Sequence, residues 1–96
     1  MKEKVERKLA AILSADVVRY SRLMEADEAG TLARLKALRA ELFDPTTQEN
    51  GGRIFKLMGD GALVEFPSVV DAVRCAVEVQ RGMAGRNEGL AEDECL

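Results

Sequence analysis

Gly51-Gly52-Arg53-Ile54-Phe55-Lys56-Leu57-Met58-Gly59-Asp60-Gly61-Ala62-Leu63-Val64-Glu65-Phe66 is the stretch whose reading decides the fold. Two runs rich in aliphatic and aromatic residues flank Gly59-Asp60-Gly61, which predicts an antiparallel hairpin with Asp60 at its tip. Asn50-Gly51-Gly52 supplies the left-handed stop expected at a helix end. A helix therefore precedes the hairpin directly.

Working outward, Ala29, Leu32, Leu35, Leu38 and Leu42 recur every three or four residues between roughly Asp27 and Phe43. This spacing predicts an amphipathic helix with a leucine stripe for the core or a dimer surface, and with Arg34, Lys36 and Arg39 on a solvated face. Asp44-Pro45 marks a helix restart, since proline fits a first turn. Further upstream, the short continuous apolar run Leu9 to Val18 reads as a strand buried on both faces, with Asp16 near its end. Downstream, Ser68 and Asp71 stand at capping-box spacing. They open a second helix to about Met83, whose wide apolar set Val69, Val70, Val73, Ala76, Val77, Val79 and Met83 is expected to pack on the sheet.

The order strand, helix, strand, strand, helix is an α+β arrangement, the βαββα portion of a ferredoxin-like fold whose later strands are missing. Residues 1–8 read as a charged leader, 9–85 as the domain and 86–96 as a loop or truncated tail. The unclosed sheet leaves an edge with exposed backbone donors and acceptors.

The chain has 96 residues, 47% of them hydrophobic and 32% charged, with 4% aromatic and no Trp. That composition describes one small globular domain with an aliphatic core. A net charge of -3, with Lys and Arg alternating with Glu and Asp, argues against nucleic acid as partner. The apolar run near the N-terminus is about half a membrane span, and no signal peptide is read. Cys75 and Cys95 have neither metal-ligand nor disulfide spacing, which points to a reducing, cytoplasmic setting. Cys75 is most simply a small buried hydrophobe.

Asp16 and Asp60 are the candidate functional residues. Either one alone is more commonly a turn or cap residue. Two carboxylates on neighbouring strands, each flanked by small residues, suit divalent cations held against a polyphosphate. Magnesium fits best, because it takes few carboxylates and several phosphate or water oxygens.

Ala15-Asp16-Val17-Val18-Arg19-Tyr20-Ser21 and Gly51 through Gly61, with Tyr20 to Glu25 and Val64 to Val73, resemble the class III adenylate/guanylate cyclase catalytic domain of bacterial type, N-terminal portion only. The resemblance spans most of residues 8 to 85. It implies the nucleotide-cyclase form of the ferredoxin-like fold and a lyase that converts ATP to cyclic AMP and pyrophosphate by two-metal catalysis. Asp16 and Asp60, with the backbone carbonyl of Val17, are implied to bind two Mg2+ or Mn2+ ions. Tyr20 and Ser21 are implied to hold phosphates. Lys56 stands where adenylate cyclases carry Lys and guanylate cyclases carry Glu, which implies ATP, since an ammonium donates to adenine N1. The site is implied to form in a head-to-tail homodimer.

Two departures accompany the resemblance. Arg19 replaces a family glycine and either blocks the phosphate turn or contacts a phosphate itself. The family's transition-state Asn and Arg lie in a later segment, so the sequence reads as a fragment with little activity of its own. The alternative function is a non-catalytic nucleotide-binding or dimerisation module. A diguanylate-cyclase-type enzyme is disfavoured, because its signature is absent and Gly59-Asp60-Gly61 takes the turn.

Overall fold

The computed structural model describes residues 11–90. Strand β1 (Ala11–Asp16) leads through a turn to helix α1 (Tyr20–Ala26) and then α2 (Glu28–Leu38). A π-helical turn (Arg39–Phe43) joins α2 to α3 (Asp44–Glu49), and β2 (Arg53–Met58), β3 (Gly61–Phe66) and α4 (Val69–Asn87) follow. The sheet order is β1-β3-β2, antiparallel throughout. Thus β1 and β2 are parallel with β3 between them, the split pattern expected of a ferredoxin-like βαββα unit.

The expected hairpin forms, with Met58 opposite Gly61 and Ile54 opposite Val64. Phe55 is an extra residue in β2, a bulge that resets the register between Ile54 and Lys56. The helix stop forms as well. Gly51 has φ 75°, its N–H donates to the Gln48 carbonyl at 3.0 Å, and the Gly52 N–H donates to the Thr47 carbonyl at 2.9 Å. These two bonds define a Schellman motif. A Cβ on Gly52 would lie 2.5 Å from the Phe66 ring, so this glycine also lets the helix end close onto the sheet.

The core joins Phe43, Ala62, Val64, Phe66, Ala72 and Cys75, with Ala11, Leu13, Ala15, Ile54 and Val79 packed against it. All the helical cover therefore lies on the sheet face that carries Ala62, Val64 and Phe66. The opposite face carries Ile12, Ser14, Asp16, Leu63, Glu65, Lys56 and Met58, none of them buried.

Several expectations are corrected. The first strand is shorter than Leu9 to Val18, and it is not buried on both faces. Leu13 faces the core, whereas Ile12 is 55% exposed because none of the described elements covers the second face. Val18 lies past the strand end, and Leu9 and Ala10, like the leader, fall outside the described residues. An unanticipated short helix, α1, precedes the leucine-striped one; it ends at Asp27, whose side chain accepts from the Gly30 N–H at 2.9 Å and caps α2.

Asp44-Pro45 opens α3 with proline in its first turn, as expected, but the backbone enters it without a break. The Asp44 N–H donates to the Arg39 carbonyl five residues back, widening one turn immediately before the ring of Pro45. Proline disfavours the regular α-turn through its missing N–H and its clash four residues back, and the wider turn lets the helix continue. In the leucine stripe Leu35 is buried but Leu32 is 47% exposed. Arg34 is half-buried, donating to the Thr31 hydroxyl at 3.2 Å rather than standing in solvent.

Ser68 caps α4 as expected, its Oγ accepting from the Asp71 N–H at 3.1 Å. The helix runs past Met83 to Asn87, so Gly85-Arg86-Asn87 is helical rather than loop. Its apolar face is only partly packed. Ala72 and Cys75 are buried, but Val69, Val70, Val73 and Val77 are 42–68% exposed. Among the described residues no helix is long and apolar enough to cross a membrane.

Candidate metal and nucleotide site

Strand pairing brings the two aspartates together. Asp16, the last residue of β1, pairs with Gly61, the residue after Asp60. One step further the Val17 N–H donates to the Asp60 carbonyl at 2.8 Å, so the chain leaving β1 is pinned to the hairpin turn. A Cβ on Gly61 would sit 2.5 Å from Asp16 Oδ1 and 2.6 Å from the Ala15 carbonyl. Only glycine leaves that space to the carboxylate. Both aspartates are exposed, as a site open to a charged ligand requires.

Tyr20 closes the other side of the turn. A Cβ on Gly59 would come within 3.3 Å of the Tyr20 hydroxyl, which places the phenol against the backbone that presents Asp60. The resemblance implies a phosphate-holding role for Tyr20 and does not anticipate this placement of its ring. The signal for its side chain was the bare Gly59, which leaves room for a ring. Gly59 and Gly61 thus serve the site through what they lack.

Arg19 occupies the turn between β1 and α1 with φ 61° and ψ 32°, the left-handed region. That conformation is costly for residues with a Cβ and favours glycine. Arg19 thus holds a backbone conformation that glycine takes at lower cost. Ser21 follows, exposed, in the first turn of α1.

Lys56 is exposed on β2, opposite Leu63, which in turn pairs with Ser14. It shares the helix-free sheet face with Asp16 but stands two strands away. The Phe55 bulge is what puts it there. Without the extra residue, regular alternation from Ile54, on the core face, would turn Lys56 inward.

Among the described residues no group of three or more His, Cys, Asp or Glu side chains converges on one point. Asp16 and Asp60 form a two-carboxylate set without nitrogen or sulfur donors. Such a set fits Mg2+ or Mn2+, which share their shell with waters and phosphates, and does not fit Zn2+. The space that Gly61 leaves beside Asp16 supports the same fit.

No family model matches the chain. It is 50% identical over 95 residues, 99% of its own length, to "Putative adenylate cyclase 3" of Rhizobium meliloti (strain 1021), of which it spans 16%. In fold it matches the crystal structure of an adenylate/guanylate cyclase/hydrolase from Silicibacter pomeroyi, with a TM-score of 0.72 and 42% identity. That match covers 90% of this chain and 48% of the other. The chain thus spans about half of the solved relative and a smaller part of the curated one.

Proposed function

Because this chain belongs with the adenylate/guanylate cyclase domains in both sequence and fold, we propose that it carries the metal- and ATP-binding part of an adenylate cyclase acting in the cytoplasm. One observation carries the reading above the others. The end of β1 and the β2-β3 turn are locked together by the Asp16-Gly61 pairing and the Val17-Asp60 backbone hydrogen bond, which sets the backbones of the two aspartates on neighbouring strands at one end of the sheet.

Asp16 and Asp60, with the Val17 carbonyl, would hold two Mg2+ or Mn2+ ions. When bound, such ions lower the pKa of the ribose 3'-hydroxyl and neutralise the triphosphate. The chain's own residues do the positioning. Gly61 keeps the approach to Asp16 open, Tyr20 braces the Gly59-Asp60 turn, and Ser21 offers a hydroxyl donor to a phosphate oxygen. Lys56 donates to adenine N1. Its place on the helix-free face, opposite Leu63 and two strands from Asp16, supports a site shared with a second copy packed head to tail.

A second reading is a non-catalytic nucleotide-binding or dimerisation module. It is favoured by Arg19 standing at the turn between β1 and α1. One titration series separates the readings. Calorimetry with ATP and Mn2+ is expected to show metal-dependent binding that falls at least tenfold in Asp16→Asn and in Asp60→Asn. Unchanged binding in both variants sinks the metal assignment, whereas wild-type binding with cyclic AMP formation excludes the non-catalytic module.

A further inference from the structure

Between α3 and β2 stands Asn50-Gly51, an amide side chain followed by the residue that puts no side chain in front of the next backbone nitrogen. Such a pair can react with itself. Once the Gly51 nitrogen has given its proton to hydroxide, it can attack Asn50 Cγ. The new N–C bond closes a cyclic imide, the Cγ–Nδ2 bond breaks, and the side-chain nitrogen leaves as ammonia after taking a proton from water. Water then adds to either imide carbonyl and opens the ring, to aspartate or to an isoaspartyl link in which the main chain runs through the side-chain carboxyl. The sum is an amide and a water giving a carboxylic acid and ammonia, with no change of oxidation state. Asparagine counts among the thermolabile residues.

The folded chain withholds each part of that reaction. Asn50 is buried, and its Nδ2 donates to the Thr46 carbonyl at 2.9 Å and to Glu78 Oε1 at 3.4 Å, so the amide is held between α3 and α4. The nucleophile is occupied as well, because the Gly51 N–H donates to the Gln48 carbonyl at 3.0 Å within the Schellman motif. Direction is the third restraint. Asn50 has ψ 12°, which turns the Gly51 nitrogen away from Cβ, whereas ring closure needs the two nearly eclipsed about the Cα–C bond. All three restraints belong to the end of α3 and are released together when that end opens, an event that costs less than unfolding the whole chain.

We propose that Asn50-Gly51 is a deamidation site gated by the last turn of α3, and that its products hold the gate open. An aspartate at position 50 has no side-chain N–H to give, so the Thr46 carbonyl keeps only the backbone N–H of residue 50, at 3.2 Å. Its carboxylate would face that of half-buried Glu78 where a hydrogen bond had been, a like-charge pair that favours separation. The isoaspartyl form adds a methylene to the main chain inside the stop. The Gly51-Gln48 and Gly52-Thr47 bonds then cannot both keep their geometry. The change is one-way: opening permits the reaction, and the reaction disfavours closing. The inference makes no use of the metal or nucleotide reading.

The test follows the amide-to-acid mass change at residue 50 in the full 96-residue chain, by peptide mass spectrometry during incubation in mildly alkaline buffer. Conversion is expected to be at least tenfold faster in denaturing urea than in buffer. Equal rates in the two, or no conversion at residue 50 in urea, overturn the proposal. Gly52→Ala leaves the reacting pair intact and crowds the stop against the Phe66 ring. In buffer it should convert at least threefold faster than wild type brought to the same overall stability with urea, and equal rates there overturn the local gate. Asn50→Asp carries one product directly. It should unfold at a lower temperature than wild type, and adding Glu78→Gln should restore part of the loss. An Asn50→Asp chain as stable as wild type, or a double variant without restoration, overturns the claim that the product holds the gate open.

Discussion

Arg19 shows how much one residue reveals about a local requirement. A left-handed residue with a Cβ costs about 1–2 kcal/mol, and glycine returns about 0.5–1 kcal/mol of that through its larger unfolded entropy. Arg19→Gly is therefore expected to stabilise the chain by about 0.5–1 kcal/mol in urea unfolding. No gain would mean that contacts of the Arg19 side chain offset the backbone strain. Lys56 sets a second prediction at this scale. Lys56→Glu exchanges a donor for an acceptor opposite the base, so the ratio of ATP to GTP binding should drop at least tenfold in competition calorimetry. A ratio that stays put removes Lys56 from base recognition. Both residues were legible from their distance to Asp16 or Asp60. Their conformations were not, because a left-handed turn and a bulge depend on what the flanking strands pair with.

The helix that reaches from Glu28 to Glu49 is held together by compromises between local preference and packing. Pro45 is accommodated by a wider turn, and the Gly51-Gly52 stop sets the angle at which β2 leaves. Gly52→Ala is expected to destabilise by about 1–3 kcal/mol, since its Cβ would meet the Phe66 ring at 2.5 Å and the Thr47 methyl at 2.9 Å in the close-packed core. Thermal unfolding of that variant alongside Gly85→Ala checks the cause. Nothing lies within 4 Å of a Cβ on Gly85, inside α4, so alanine there should stabilise slightly. Equal shifts at both positions would deny the steric account. The positions of Gly52 and Ser68 were plain in the sequence, because capping and stopping are written in adjacent residues. The continuation of α4 to Asn87 was obscured by Gly82 and Gly85. A Cβ on Gly82 would lie 2.5 Å from a Leu42 methyl, a close approach set by an element distant in sequence.

At the scale of the molecule, the core formed by the described residues is one-sided, with their helices on one sheet face. Cys75 lies at its centre, fully buried, 3.9 Å from the Thr47 hydroxyl. Burial raises its thiol pKa, the Thr47 hydrogen bond lowers it, and the charge of Glu78 raises it again, with a net increase. Because the folded pKa lies above the unfolded one, this contribution to stability is present at neutral pH. It is lost as pH rises through the raised value. In a Cys95→Ser background, Cys75 should resist a thiol reagent in the folded state and react on unfolding, and stability should decline above about pH 9. Rapid native-state labelling would contradict the burial.

The sequence by itself determined the order of elements, the hairpin with Asp60 at its turn, the cap at Ser68, the stop at Gly51 and the cyclase resemblance. Each of these rests on neighbours along the chain or on side-chain identity at fixed spacing. Only the tertiary structure decided which faces are covered. The valines of α4 and Ile12 of β1 have the composition of core residues, but burial depends on what packs above them. The meeting of Asp16, Gly61 and Tyr20 was likewise a matter of register, which couples residues more than forty positions apart through backbone pairing.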